Sequence, residues 1–153
     1  MSRHRISATR VGSLAVVFLA AATLRAQQAG ETSASGPRTV WDGVYTEAQA
    51  KRGEAIYRQS CALCHGDALL GREMASPLTG PAFAANWNGV TLGDLIERMR
   101  VTMPQDRPGS LSRQQNADVL AYILSVSRFP AGKAELPRQT EILNQIRFVA
   151  SKP

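Results

Sequence analysis

Cysteine is nearly missing from this chain of 153 residues: there are two, Cys61 and Cys64, both inside the hexapeptide CALCHG. That count excludes a disulfide framework. The one bridge available would close a tiny loop, which constrains the unfolded chain too little to add much stability. Histidine is equally scarce, with His4 and His65 only. A structural zinc site needs four ligands, and Cys61, Cys64 and His65 offer three, crowded into one turn. Lysine is limited to Lys51, Lys133 and Lys152. Long apolar runs are absent too. The longest, Val11 to Leu24, has 14 residues, short of the roughly 20 that span a bilayer.

That short run has a distinctive setting. It follows MSRHRISATR, which carries Arg3, Arg5 and Arg10 and no acid, and it leads to the small residue Ala26. Basic flank, short apolar middle and small residue describe an export signal, with cleavage expected after Ala26. The expected location is the periplasm; if the leader stays uncut, it would anchor the protein to the membrane. The leader also holds four arginines and no carboxylate. Without it, 14 basic residues face 12 acidic ones, and the formal charge falls from +6 to near +2. The basic composition then gives no support for a nucleic-acid partner.

The remaining chain divides by composition. Residues 27–39, rich in Gly, Ser, Ala and Thr, read as a flexible lead-in. A domain is expected over residues 40–130, followed by a C-terminal extension, 131–153, packed on it. Helix signals are clear at three places. TEAQ starts one at Thr46, with Gln49 reaching back, and it runs to about Cys61. TLGD starts a second at Thr91 with Asp94 as partner, and SRQQ a third near Ser112 with Gln115. Their apolar positions recur at helical spacing: Ala50, Gly53, Ile56 and Tyr57; Leu92, Leu95, Ile96 and Met99; Val119, Leu120, Ile123 and Leu124. No stretch alternates as a strand would, so the expected class is all-α. A long Gly, Pro and Ala-rich connection, GDALLGREMASPLTGPAFAANWNG, separates the first two helices. Three modest helices leave a thin core, which a large apolar cofactor would fill.

The rare residues name that cofactor. C-x-x-C-H is the attachment sequence of c-type haem. Two cysteines three positions apart near a helix turn can each add to one porphyrin vinyl group. His65 then projects under the ring as the proximal iron ligand. Such thioethers persist without an oxidant, so the tiny-loop objection does not apply. The rival C-x-x-C chemistry, a thioredoxin-type redox pair, needs a βαβ context that this sequence does not show. For the opposite face of the iron there are three candidate methionines beyond the leader. Met99 belongs to an apolar helix stripe and reads as core filler. Met74 lies in a loop only nine residues after His65. Met103 precedes Pro104 in RVTMPQDRPGSLS, where Pro104, Pro108 and Gly109 constrain the backbone, and it is the expected ligand.

Beyond CALCHG, the chain from about Ala48 to Phe129 resembles the class I cytochrome c family. Gly53 and Tyr57 match the glycine and aromatic of that family's first helix, and Tyr122 in DVLAYIL matches their partner on the last. TGP, Thr79 to Pro81, is similar to the segment whose proline carbonyl accepts a hydrogen bond from the ligating imidazole. TMP…RPGSLS resembles the methionine loop of bacterial members that occur beside, or fused to, quinoprotein dehydrogenases. The resemblance implies three to five helices wrapped around one haem c, tethered by Cys61 and Cys64, with His65 and Met103 on the iron and Pro81 oriented toward His65. Trp87 would donate to a haem propionate or wall the pocket. The lysine-rich docking rim of mitochondrial relatives is missing; Arg98, Arg100 and Arg107 offer a modest basic patch for an acidic partner or the propionates, or are plain surface residues.

The expected function is single-electron transfer by Fe(II)/Fe(III) cycling, without enzymatic activity of its own. The expected partners are a dehydrogenase, of the quinoprotein type by resemblance, and a terminal oxidase or another cytochrome. The alternatives are a haem enzyme or gas sensor with a labile sixth ligand, and an electron-transfer subunit held in a dehydrogenase complex.

Overall fold

Three hydroxyl side chains start the main helices of the computed structural model, which describes residues 37–73 and 75–153. Thr46 accepts from the Gln49 amide at 3.1 Å and opens α1, Glu47–Ser60. A one-turn helix, α2, follows at Ala62–His65. The long Gly and Pro-rich connection contains a helix of its own, α3, at Gly80–Trp87, with Pro81 in its first turn. There the missing proline N–H would have had no intrahelical partner anyway. Thr91 then caps α4, Leu92–Thr102. Ser112 and Gln115 close a reciprocal capping box on α5, Arg113–Val126. A short α6, Thr140–Leu143, lies in the C-terminal extension. The described residues thus hold six helical segments, more than the three to five expected, because α2, α3 and α6 are short or glycine- and proline-rich.

Little strand accompanies them. β1, Arg38–Thr39, pairs in parallel with β2, Ile146–Arg147, with Arg38 opposite Ile146. Two residues are too few to show alternation in sequence, and β1 precedes the expected domain start at Val40. The expected leader, 1–26, and residues 27–36 of the lead-in lie outside the described residues.

Helices α1 and α5 form the largest contact in the fold. They cross at Gly53, where a side chain would run into the Asp118 backbone carbonyl. Tyr57 and Tyr122 meet beside the crossing with ring centroids 5.4 Å apart. The apolar stripes point inward as helical spacing requires: Tyr57, Leu92, Leu95, Leu120 and Leu124 are buried, while Ile56 and Met99 are half-covered.

The extension completes this core. Leu136, Leu143, Ile146 and Phe148 are buried with it, and Phe148 packs edge-on against Phe83 and Phe129, at 5.7 and 5.2 Å. Gln49 does not reach back to its own cap. Its amide nitrogen donates to the Leu136 carbonyl at 3.0 Å and its oxygen accepts from the Leu136 N–H at 2.6 Å. A fully buried amide must satisfy its polar atoms inside the protein, and the backbone of the extension at Leu136, itself buried, supplies both partners. Arg52 reinforces the join by bridging Asp118, at 3.2 Å, and Glu135, at 2.9 Å.

Candidate functional site

The CALCHG segment is one turn of helix set at the end of α1. The amides of Cys64 and His65 both donate to the Cys61 carbonyl, at 3.2 and 2.9 Å, and Gly66 donates to Ala62 at 2.9 Å. Residues three apart in such a turn share a face, so Cys61 and Cys64 are presented together. Both are free thiols. Burial, with Cys64 as a lesser influence, pushes the Cys61 thiol up to about 11. A redox or metal-binding cysteine is usually shifted the other way, toward thiolate. Among the described residues no three His, Cys, Asp or Glu side chains converge as a bare metal ion would need.

His65 is held at its inner nitrogen. Nδ1 lies 2.8 Å from the Ser76 carbonyl oxygen. A carbonyl can only accept, so Nδ1 carries the proton and the Nε2 lone pair points elsewhere. The sequence reading put Pro81 in this role, and the structure puts Ser76 there. Pro81 lies within the first turn of α3, where its carbonyl serves the helix ladder. The signal for Ser76 was Pro77, since the residue before a proline is confined to extended backbone and so holds its carbonyl in a fixed direction. Tyr57 adds a second support. Its buried hydroxyl donates to the Gly66 carbonyl at 2.7 Å, one residue past His65.

The other residues singled out in the sequence lie on separate elements. Met103 caps the C-terminus of α4 with extended backbone, its amide donating to the Met99 carbonyl at 2.8 Å. Its side chain is 36 % exposed, and Leu70 and Val101, near the haem-motif turn and the end of α4, are also exposed. The following turn is closed by Arg107 N–H to Pro104 O, at 2.9 Å. Met74, the second-choice ligand, falls outside the described residues. Pro81 lines a cavity of about 290 Å3 with Trp41, Phe83, Phe129 and Phe148; Cys61, Cys64, His65 and Met103 are not among its walls. Trp87 ends α3, half-buried, its ring 6.3 Å from Phe83. Among the described residues its indole nitrogen makes no hydrogen bond. Trp41, not singled out in the sequence, donates its indole N–H to Val149 O at 2.9 Å.

Residues 48–123 match the family model described as cytochrome c oxidase, cbb3-type, subunit III. The match makes this segment similar to a c-type cytochrome domain. Among curated proteins and among solved structures, none matches. A domain of that kind is an all-α electron-transfer module with covalently bound haem c, and Cys61 and Cys64 provide the CxxC spacing that this attachment uses.

The chain's own chemistry fits the group. Two unpaired thiols share one helical face. An imidazole has one nitrogen tied to a backbone carbonyl and the other left with its lone pair. The apolar side chains of Leu70, Val101 and Met103 are left uncovered by protein. Each is what a porphyrin joined at its edge and ligated from one side would require.

Proposed function

We propose that this chain is an exported c-type cytochrome, a single-electron carrier whose haem is tethered by Cys61 and Cys64 and ligated by His65 and Met103. When bound, the haem supplies the Fe(II)/Fe(III) couple. The chain does the rest. The Ser76 carbonyl orients His65 and raises its basicity through the Nδ1 proton. Met103, on a backbone constrained by Pro104, offers a thioether that favours the reduced ion. A haem covering the apolar side chains of Leu70, Val101 and Met103 would sit in a medium of lower dielectric than water, which disfavours the additional ferric charge. With both His65 and Met103 on the iron no position would remain open, so the site would suit electron transfer rather than oxygen or peroxide chemistry. The observation that carries this reading is the His65–Ser76 hydrogen bond, which leaves Nε2 as the coordinating nitrogen beside a CxxC pair.

The basic leader supports a periplasmic location, with an uncut leader as the route to membrane attachment. No described helix is long and apolar enough to cross a membrane. The family description favours a terminal oxidase or another cytochrome as one redox partner. The likeness of the Met103 loop to proteins found beside quinoprotein dehydrogenases favours such a dehydrogenase as the other, whether met in passing or held as a complex.

An optical spectrum tests the axial pair. The oxidised protein should show the methionine–iron charge-transfer band, and Met103→Ala should abolish it and admit carbon monoxide to the reduced form. A band that survives the substitution overturns Met103. Rapid carbon monoxide binding by the unaltered protein would favour the sensor or enzyme reading.

A further inference from the structure

The cavity of about 290 Å3 beside α3 has no part in the haem reading, since Cys61, Cys64, His65 and Met103 all lie off its walls. Four rings line it in a series of edge-on contacts. Trp41 meets Phe129 at 4.8 Å, Phe129 meets Phe148 at 5.2 Å, and Phe148 meets Phe83 at 5.7 Å. Hydrogen bonds hold this wall in place. The Trp41 indole donates to Val149 at 2.9 Å, and the Phe129 carbonyl accepts from the buried Tyr45 hydroxyl at 2.6 Å.

Polar groups on the walls are few. The Thr79 and Ser127 hydroxyls lie 3.1 Å apart; one proton joins them, and the other remains to donate. Arg128 is the single charged residue of the lining. Among the described residues its side chain makes no hydrogen bond, and it forms no ion pair. Asp42, beside Trp41, is the acid nearest in sequence to any wall residue, and it accepts from the Thr39 N–H and hydroxyl at 2.7 and 3.1 Å. Arg128 also has an unusual backbone. It follows the end of α5 with φ +64°, where glycine commonly closes a helix because a β-carbon is strained there. The closing bonds, Arg128 N–H to Ser125 O at 2.9 Å and Phe129 N–H to Leu124 O at 3.1 Å, use main-chain atoms only. Ending the helix therefore does not account for an arginine.

We propose that this cavity binds a small monocyclic aromatic carboxylate of the benzoate class, with its ring among the four aromatic walls and its carboxylate on Arg128. Volume sets the scale. A cavity of about 150 Å3 takes benzene, so roughly twice that leaves room for a ring, a carboxylate and one substituent. A guest ring extends the edge-on series that aromatic side chains favour. One cation and no acid on the walls fix the sign of the head group, and a guanidinium fork holds a carboxylate by two hydrogen bonds.

The test titrates the haem-loaded full chain with benzoate, followed by calorimetry and NMR. Saturable one-to-one binding is expected, with cross-relaxation from the benzoate ring protons to the Trp41 indole. R128G should keep or raise the unfolding midpoint, because it relieves the backbone, while weakening benzoate about tenfold, the worth of one charge-assisted hydrogen bond. A84L, which fills the cavity and spares Arg128, should abolish binding. K51Q removes an equal charge elsewhere and should leave the affinity unchanged. Benzyl alcohol, the uncharged counterpart, should bind about tenfold more weakly than benzoate, and acetate should not saturate. Failure to saturate at millimolar benzoate, equal affinity for benzyl alcohol, or full affinity in R128G overturns the proposal. Acetate binding as tightly would leave an anion site alone, and hexanoate binding as tightly would make it an acyl-chain site; either overturns the aromatic assignment. So does a peptide ending in a phenylalanine carboxylate that binds where benzoate does not, which would assign the cavity to a protein C-terminus. Cross-relaxation between haem propionate protons and Arg128 also overturns it, because the guanidinium would then already be held.

Discussion

Gly53 and Asp118 touch through backbone alone: α1 crosses α5 so closely that a methyl group on Gly53 would occupy the position of the Asp118 carbonyl. Neither helix can move without dislodging the end of α1, where Cys61 begins the haem-attachment turn. Gly53→Ala should therefore destabilise the protein by about 3 kcal/mol, the upper range for overpacking. Denaturant unfolding followed by far-ultraviolet circular dichroism measures it. A midpoint within error of the unaltered protein would show that the helices separate freely.

Gln49 makes two hydrogen bonds to Leu136 in a site from which water is excluded. Gln49→Leu removes both and strands the Leu136 N–H and carbonyl. Each stranded buried group costs about 1–3 kcal/mol. Amide exchange at Leu136 and through residues 140–148 should accelerate, ahead of exchange in α5. Uniform acceleration over the whole domain would instead mean that the extension does not open by itself.

The alkaline limb of the stability curve should depend on Tyr57. Burial raises its phenol well above the ordinary value of 10.0, and Tyr45 and Tyr122 are raised by the same cause. Above about pH 10 the unfolded chain loses these protons while the folded chain keeps them. Stability is then complete below that pH and falls as pH rises further, by about 1.4 kcal/mol per pH unit for each proton retained. Tyr57→Phe should flatten the decline between pH 10 and 11 while costing about 1 kcal/mol at neutral pH through the lost bond to Gly66. An unchanged slope would rule out Tyr57 as a contributor.

Pro77→Gly tests the support behind His65. The substitution frees Ser76 to leave its extended conformation, lengthening the bond to Nδ1. A less basic imidazole stabilises ferric iron less, so the reduction potential should rise. Equilibrium redox titration reads the shift, and a fall in potential would contradict the assigned role of the Ser76 carbonyl.

What the sequence revealed, and what it hid, follows from range. The caps at Thr46, Thr91 and Ser112 act within three residues, so local patterns located α1, α4 and α5 and their buried stripes. Cys61, Cys64 and His65 form one helical turn and were equally readable. By contrast, α3 was hidden because glycine, proline and alanine around Pro81 read as a loop, and the helix depends on Phe83 packing against Phe148, far along the chain. The acceptor for His65 is a main-chain oxygen, for which the side chain of Ser76 gives no hint. Gln49 matched a capping pattern, but its partner 87 residues away took precedence.

One consequence comes from the pairing of Arg38 with Ile146. Adjacent strands lie about 4.8 Å apart, so the first and last elements of the described fold are next-door neighbours, and the polypeptide traces a nearly closed ring. A short peptide joining residues 38 and 150 would complete the circle. New ends could then be cut between Lys133 and Ala134, both exposed, giving a permuted protein with the same interior.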